Sequence, residues 1–544
     1  MRYLSENKRE DMRMKKRTAA RSMAALMGAA MVLTACGGGS TTAPTTGASS
    51  GGETQTASES AESGKITKTD IIVGQASDIV TLDPAGQQDT TSGVLMKHAY
   101  STLLDVDNEG KVVPDLAESC EMKSDTEYVF KLREDACFWD GTPVTAQDVK
   151  FSLDRAKGMP KTKSNTSKIE EVTVNGDHEV TIKLTEPYAA FKTIVTQHNL
   201  SILSEKAVTE AGDSYGDVDN LLGSGPFKVT EWVPNDHYTL VRNDNYWGEM
   251  PIATSITCRV IPEGSARTIA LEAGEIDVVW SVDPTDCANV ESNPDVKLLS
   301  QPSTGIDYVG MNTQKEKFSD KRVRQAINYA LDKQAFVDTI IEGRGLVANS
   351  YINAAIPGWT DEVEAYPYDP EKAKELLAEA GYPDGFECSI FVNGDLRTRS
   401  AQILQAQLAD VGIKVDISTY EWGALLDTLN AGEHEMFLLG WSNTSFDPDG
   451  STYQLFYSGN HGATGNRAFF SNDKVDELIL SAQRESEESK RMELYKELQF
   501  VLHEESPWCP LYYKENNVGV RADLKGFTLH AGAQHYLGNC HYEE

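Results

Sequence analysis

Between residues 387 and 439 the chain alternates strand-like and helix-like segments, and no other stretch limits the available folds so tightly. Residues 387–392 read as a strand, 398–410 as a helix, 414–419 as a strand, 422–430 as a helix and 436–439 as a buried strand. Such an order predicts a βαβαβ unit on a mainly parallel sheet. In sheets of that kind ligands bind beyond the carboxyl ends of the strands. The residues that follow Leu439 are therefore the first place to look for a site.

Other segments carry their own signals. Alternation is plain in 180–185 (VTIKLT) and partial in 128–133 (YVFKLR), so both predict half-buried strands. Thr145 with Asp148 three residues on is a capping-box variant opening a helix through Phe151 and Leu153. Val323, Ile327, Ala330, Val337 and Ile341 place one apolar stripe on a predicted helix over 320–342. Asp369 before Pro370 predicts an N-cap with proline at N1, and Gly381 ends that helix at C′. The globular part begins at Ile66 and is longer than one hydrophobic core serves, which predicts two or three domains.

The first residues read as a leader. Lys15-Lys16-Arg17 precede an 11-residue apolar run at 23–33, which is too short to span a bilayer and matches a signal-peptide core. Met14 stands directly before the basic cluster, so the first 13 residues read as an over-long start. Leu33-Thr34-Ala35-Cys36 then has the pattern of a lipoprotein cleavage site, which makes residues 1–35 a signal peptide and Cys36 the lipidated residue. Residues 37–64 hold no large apolar side chain and predict a flexible tether of roughly 30 Å end to end. The protein is expected outside the cytoplasm, held at the outer face of the membrane by lipid alone.

Charge and cysteine usage exclude several classes. The chain carries −33, and removing the leader, with eight Lys/Arg against three Asp/Glu, takes it to −38. Nucleic-acid binding needs clustered Lys/Arg and is not expected. Apart from Cys36 there are seven cysteines, an odd number, so at least one is unpaired. A Cys120–Cys137 bridge is open to the sequence, and most of the others read as small buried hydrophobes. There is no Cys-x-x-Cys, no Gly-x-x-x-x-Gly-Lys-Ser/Thr, no His-Glu-x-x-His and no Gly-x-Ser-x-Gly, so neither a zinc ribbon, a phosphate cradle nor a hydrolase elbow is expected. An enzyme is the least favoured class, and no cofactor is implied.

Several stretches together resemble one family, the extracytoplasmic solute-binding proteins of peptide and nickel ABC importers. They are Thr81-Leu82-Asp83-Pro84, Leu104-Asp105, Val113-Pro114-Asp115-Leu116-Ala117-Glu118-Ser119, Phe130-Lys131-Leu132-Arg133 and Phe138-Trp139-Asp140-Gly141-Thr142-Pro143. Farther on come Gly223-Ser224-Gly225-Pro226-Phe227-Lys228, the run 270–278 (ALEAGEIDV) and the run 323–332 (VRQAINYALD). Any one is weak; their order across 66–540 is what makes the likeness specific. The resemblance implies an α/β bilobal fold of the large, three-part, type II periplasmic-binding-protein class, with mixed sheets and a hinge. By analogy one lobe takes 66–304 plus 514–544, with an inserted subdomain at about 96–219, and the other takes 305–513. The hinge would lie near 303–312 and 512–516. The implied function is capture of di- or oligopeptides between lobes and delivery to a permease driven by an ATPase, by a monomer.

The resemblance also points to residues. Arg399, with Arg397 beside it, corresponds to an arginine that takes a dipeptide's C-terminal carboxylate, a task suited to paired guanidinium bonds; the alternative for Arg399 is a salt bridge at the first helical turn. Trp441 corresponds to a cleft-lining tryptophan, with a core tryptophan as the alternative. Dipeptide binders of this family place an aspartate for the ligand's amine about three residues after it, and here Thr444 stands there. Asp447 is the nearby substitute, or else loop framework. That departure leaves room for a blocked peptide or another amphiphilic solute. Among ten histidines none has ligand spacing, His434 and His461 being isolated, so no metal site is expected. A metal chelate or modified peptide as the solute, peptide sensing, or a surface chaperone or adhesin role on the same fold, are the competing readings.

Overall fold

The computed structural model describes residues 65–544. The signal peptide, Cys36 and the tether lie outside the described residues. An eleven-stranded mixed sheet runs through the described part and ties it together. In chain order its strands are β1 (Asp70–Gln75), β2 (Phe227–Val233), β3 (His237–Arg242), β4 (Ser255–Val260), β5 (Val278–Val279), β6 (Val296–Met311), β7 (Gly345–Val347), β8 (Glu387–Val392), β9 (Lys414–Thr419), β10 (Met436–Ser442) and β11 (Trp508–Arg521). In space they follow the order β9-β8-β10-β6-β11-β5-β1-β4-β3-β2, with β7 on β11.

Two lobes share this sheet. The first carries β1–β5, and there β1 runs parallel to β4 and β5. The second carries β7–β10, and there β8 runs parallel to both β9 and β10. Only β6 and β11 extend through both halves, as a long antiparallel pair. Their register breaks midway: Pro302 faces Glu515, and the next partners are Ile306 and Tyr513, so Ser303, Thr304 and Gly305 oppose Lys514 alone. The bulged backbone is satisfied locally. Ser303 Oγ donates to the Lys514 carbonyl at 2.7 Å and accepts from Gly305 N at 3.0 Å, while Thr304 N reaches the Ala531 carbonyl. A bulge of this kind bends and twists its strand.

The apolar residues explain the layering. In β10, Met436 and Leu438 point into a core with Val309, Ile327, Leu377 and Leu404, while Phe437 and Leu439 point into another with Leu425, Phe456, Leu478 and Leu498. Both faces are covered, which is why that strand is a continuous apolar run instead of an alternating one. In the first lobe, Ile71, Val73, Phe227, Ile256 and Val520 build one core. A separate four-stranded antiparallel sheet (Ala117–Ser124, Glu127–Leu132, Ile169–Gly176, Glu179–Leu184) packs Phe130, Val180 and Ile182 against another, with Leu153 and Phe191.

The helices needed for the site are α1 (Thr90–Ala99), α2 (Ala146–Lys157), α3 (Lys321–Ala330), α4 (Lys333–Thr339), α5 (Pro370–Glu379), α6 (Gly394–Ala409), α7 (Trp422–Asn430), α8 (Asp449–Phe456), α9 (Asp473–Arg484) and α10 (Glu488–Glu505). The Thr145/Asp148 capping box forms with both of its bonds, and Asp369 caps α5 through Lys372 N. Gly381 follows α5 at φ +93°, the left-handed conformation that favours glycine. Four readings are corrected. The predicted helix over 320–342 is two helices, because Leu331 is extended and Asp332 caps a second one through Ala335 N. α6 begins four residues earlier than expected, at Gly394, and β10 continues three residues past Leu439. Finally, Cys120 and Cys137 are not bridged: among the described residues all seven cysteines are free thiols, five of them buried.

Candidate ligand-binding cleft

The carboxyl ends of the parallel strands of both lobes converge on one cavity. β1 leads to Ser77 and β5 to Trp280, while β8 leads to Asn393 and β10 to Trp441 and Thr444, and all of these residues line it. The volume is about 390 Å³, near the lower end of what drug-sized ligands occupy.

The lobes touch along the rim. Tyr188 donates its hydroxyl to Asp449 Oδ2 at 2.5 Å, and the hydroxyls of Ser167 and Tyr453 are 3.0 Å apart. Ala189 N donates to the Gln483 carbonyl at 2.8 Å, and Gln454 donates to Asn165. Arg399 Nη2 donates to Asp283 Oδ2 at 2.6 Å. Burial pushes Asp283 up, but bonds from Arg399 and Thr285 outweigh it and hold the carboxyl below the ordinary range. These contacts join first-lobe loops to second-lobe helices, so the cleft is closed.

The expected site residues fall into two groups. Trp441 and Thr444 line the cavity. The indole of Trp441 donates to the Gly450 carbonyl at 3.0 Å, which fixes its ring against the wall. Thr444 Oγ1 donates across the cleft to Gln197 Oε1 at 2.9 Å and carries no charge. Arg399 and Asp447 are not in the wall. Arg399 is held by Asp283, as above, and its neighbour Arg397 lines the cavity instead. Asp447 is turned into the second lobe, where its two oxygens accept from Arg491 Nη1 and Nη2 and from Asp449 N.

Three further residues complete the wall. Asp89 caps α1 with one oxygen, Oδ1, accepting from Ser92 N at 2.9 Å, and its Oδ2 is buried without a hydrogen-bond partner. Burial raises its pKa against the pull of the Ser92 bonds, the charge of Lys161 and the nearby indole N–H of Trp422. Arg467 is only 6% exposed; Nε donates to Asn430 Oδ1 at 3.0 Å, and among the described residues its Nη nitrogens have no acceptor. Trp422 stands at the start of α7, with the guanidinium of Arg397 5.8 Å from its ring centre. Asp89 reads in the sequence as an ordinary N-cap, and Arg467 lies in a turn without regular pattern. Nothing in their local sequence marks them as cavity residues.

The arrangement offers a carboxylate from the first lobe, guanidinium groups from the second and indole walls between. That set can hold a dipolar, partly apolar solute. Among the described residues no group of three or more His, Cys, Asp or Glu is placed to hold a metal ion, and no helix is long and apolar enough to cross a membrane.

Residues 111–463 match the family described as bacterial extracellular solute-binding proteins, family 5 Middle. The glutathione-binding protein of Escherichia coli K12 is 31% identical over 479 residues, covering 85% of this chain and 92% of that one. Among solved structures, a periplasmic binding protein associated with an ABC transporter of Helicobacter pylori, in complex with the peptide STSA, is 28% identical with a TM-score of 0.84, covering 88% of this chain and 99% of the other. The oligopeptide-binding protein of Bacillus subtilis, in complex with a nonapeptide, is 26% identical with a TM-score of 0.81, covering 88% and 100%.

Proposed function

The chain belongs to family 5 of the bacterial extracellular solute-binding proteins, and from that premise we propose that it captures short peptides between its lobes and delivers them to the permease of an ABC importer. The observation that carries this reading is that Asp89, whose Oδ2 is buried without a hydrogen-bond partner, and Arg467, whose Nη nitrogens have no acceptor among the described residues, both stand in the wall of one cavity. A free peptide has a cation at one end and an anion at the other, so it neutralises both when it enters. Burying either group alone is costly. The peptide complexes of two similar structures support the same ligand class. The volume of this cavity favours peptides of a few residues over long ones.

Asp89 takes the place of the aspartate missing after Trp441. It approaches from the opposite lobe, so the ligand's amine is held by the first lobe and its carboxylate by the second. A ligand gripped in this way stabilises the closed state, as in hinge-closing binders. The hinge is proposed at the register break of β6 and β11, with lobes of 66–304 plus 514–544 and 305–513. Cys36 is proposed as the lipid anchor and the protein as a monomer, with ATPase and permease supplied by partner subunits.

Titration calorimetry of the purified protein with pools of di- to pentapeptides tests the reading. Heat of binding is expected for at least one pool. N-acetylation of the bound peptides, or Asp89→Asn, should weaken binding at least tenfold. A well-folded protein that binds no pool would overturn it.

A further inference from the structure

Phe446, in the loop after β10, has φ +55°, the left-handed conformation that a bulky side chain rarely adopts. Such strain persists only where the surrounding bonds over-determine it, and it gathers at ligand clamps. Here the bonds come from the second lobe itself. Asn443 donates to the Asp447 carbonyl and to Ser451 Oγ, both at 2.7 Å, and accepts from Ser445 N at 3.1 Å and Ser445 Oγ at 2.9 Å. Arg491 then grips the Asp447 carboxylate. The loop is thus tied on both sides of Phe446, while the ring itself is only half-buried.

The ring lies against the first lobe. A Cβ added to Gly110 would stand 2.6 Å from Phe446 Cδ1, 2.7 Å from Cγ and 3.0 Å from Cβ, so any side chain there displaces the ring. Gly110, at φ +83°, ends a tight turn in which the Asp107 carbonyl accepts from Gly110 N and the Asp107 carboxylate accepts from Glu109 N and Lys111 N. The other neighbour of the ring is His530, 5.5 Å between centres and edge to face at 81°. His530 orders part of the cavity wall: its Nδ1 accepts from Gly532 N at 3.1 Å and Gln534 N at 3.3 Å, and its own N–H donates to His535 Nδ1 at 3.1 Å. Ala533, Gln534 and His535 of this turn all line the cavity. Building on the reading of a solute held between closing lobes, we propose that Phe446 is the positioning residue of the closed state. Its ring seats in the notch at Gly110 when the lobes meet, and through His530 it fixes the turn that walls the cavity. The bonds that hold residue 446 in its strained pose stay within one lobe, so the ring is presented ready to seat while the lobes are apart.

A double-mutant cycle on the full chain tests the contact, with the di- to pentapeptide pools as probes in calorimetry and stopped-flow fluorescence. Phe446→Ala should weaken binding at least about tenfold through faster dissociation, with the association rate within about threefold of the unaltered protein. Gly110→Asn keeps the turn, because asparagine tolerates the left-handed conformation, but fills the notch, and it should weaken binding at least as much. In the double variant the two losses should not multiply: once the ring is gone, Gly110→Asn should change affinity by less than about threefold. That rescue is a result that general damage to the fold does not produce. Full affinity in either single variant, or losses that multiply in the double variant, would overturn the inference and leave peptide capture standing. Failure of the unaltered protein to bind any pool would remove the capture reading itself, and this inference with it.

Discussion

The pair Asp447–Arg491 shows how one residue can belong to a binding loop and still serve the core. Both side chains are about nine-tenths buried, and the guanidinium grips both carboxylate oxygens. Removing one partner of a buried ion pair leaves the other charge stranded, at about 3–5 kcal/mol. Asp447→Ala should therefore lower the free energy of unfolding by about that amount in urea titrations; a loss under 1 kcal/mol would place the pair outside the stabilising framework. Sequence alone offered Asp447 as ligand contact or as framework, and Arg399 as clamp or as salt bridge. Residue type and spacing could not choose, because the choice depends on partners 44 and 116 positions away. Arg467 and Asp89 were invisible for the same reason. What makes them site residues is an unfilled hydrogen-bonding position, and that is a property of the folded cavity.

Elements with strong local patterns were legible almost residue for residue. β8, β9 and α7 lie where their periodicity and flanking turns put them, since each has its own apolar face and its own stop signals. The break between α3 and α4 was hidden by an apolar stripe that continues through it. There the cap at Asp332 and the bond from Asp332 N to Gln407 prevail over helical continuity. The crossing of β6 and β11 left no local trace at all. At this level the contact between the start of α6 and the loop after β5 has a consequence for release. Arg399 and Asp283 are 35% and 13% exposed, so their pairing is partly screened. Asp283→Asn should weaken ligand affinity about three- to tenfold through faster dissociation, with the association rate little changed. Stopped-flow fluorescence from the cavity tryptophans measures both rates, and an unaltered dissociation rate would show that this contact does not hold the lobes together.

The molecule as a whole couples proton uptake to unfolding. His98, His434 and His530 are buried, which lowers each pKa from 6.5 to about 4, and His535 falls to about 3 for the same reason. Above pH 6.5 these histidines are neutral whether the chain is folded or not. As pH falls from 6.5 toward 4 the unfolded chain takes up protons that the native state refuses, so stability is lost at about 1.4 kcal/mol per pH unit for each such group. Thermal melts should therefore show a melting temperature that drops steadily from pH 7 to pH 4.5; a flat profile would contradict the neutral burial of these side chains. The same architecture, two lobes joined by one strand pair with an open register at its centre, underlies the proposed mode of action. Small-angle X-ray scattering of the purified protein with and without a saturating bound peptide measures that motion directly. The radius of gyration should be smaller in the peptide complex as the lobes close, and an identical radius in both states, with binding confirmed by calorimetry, would contradict hinge closure on the ligand.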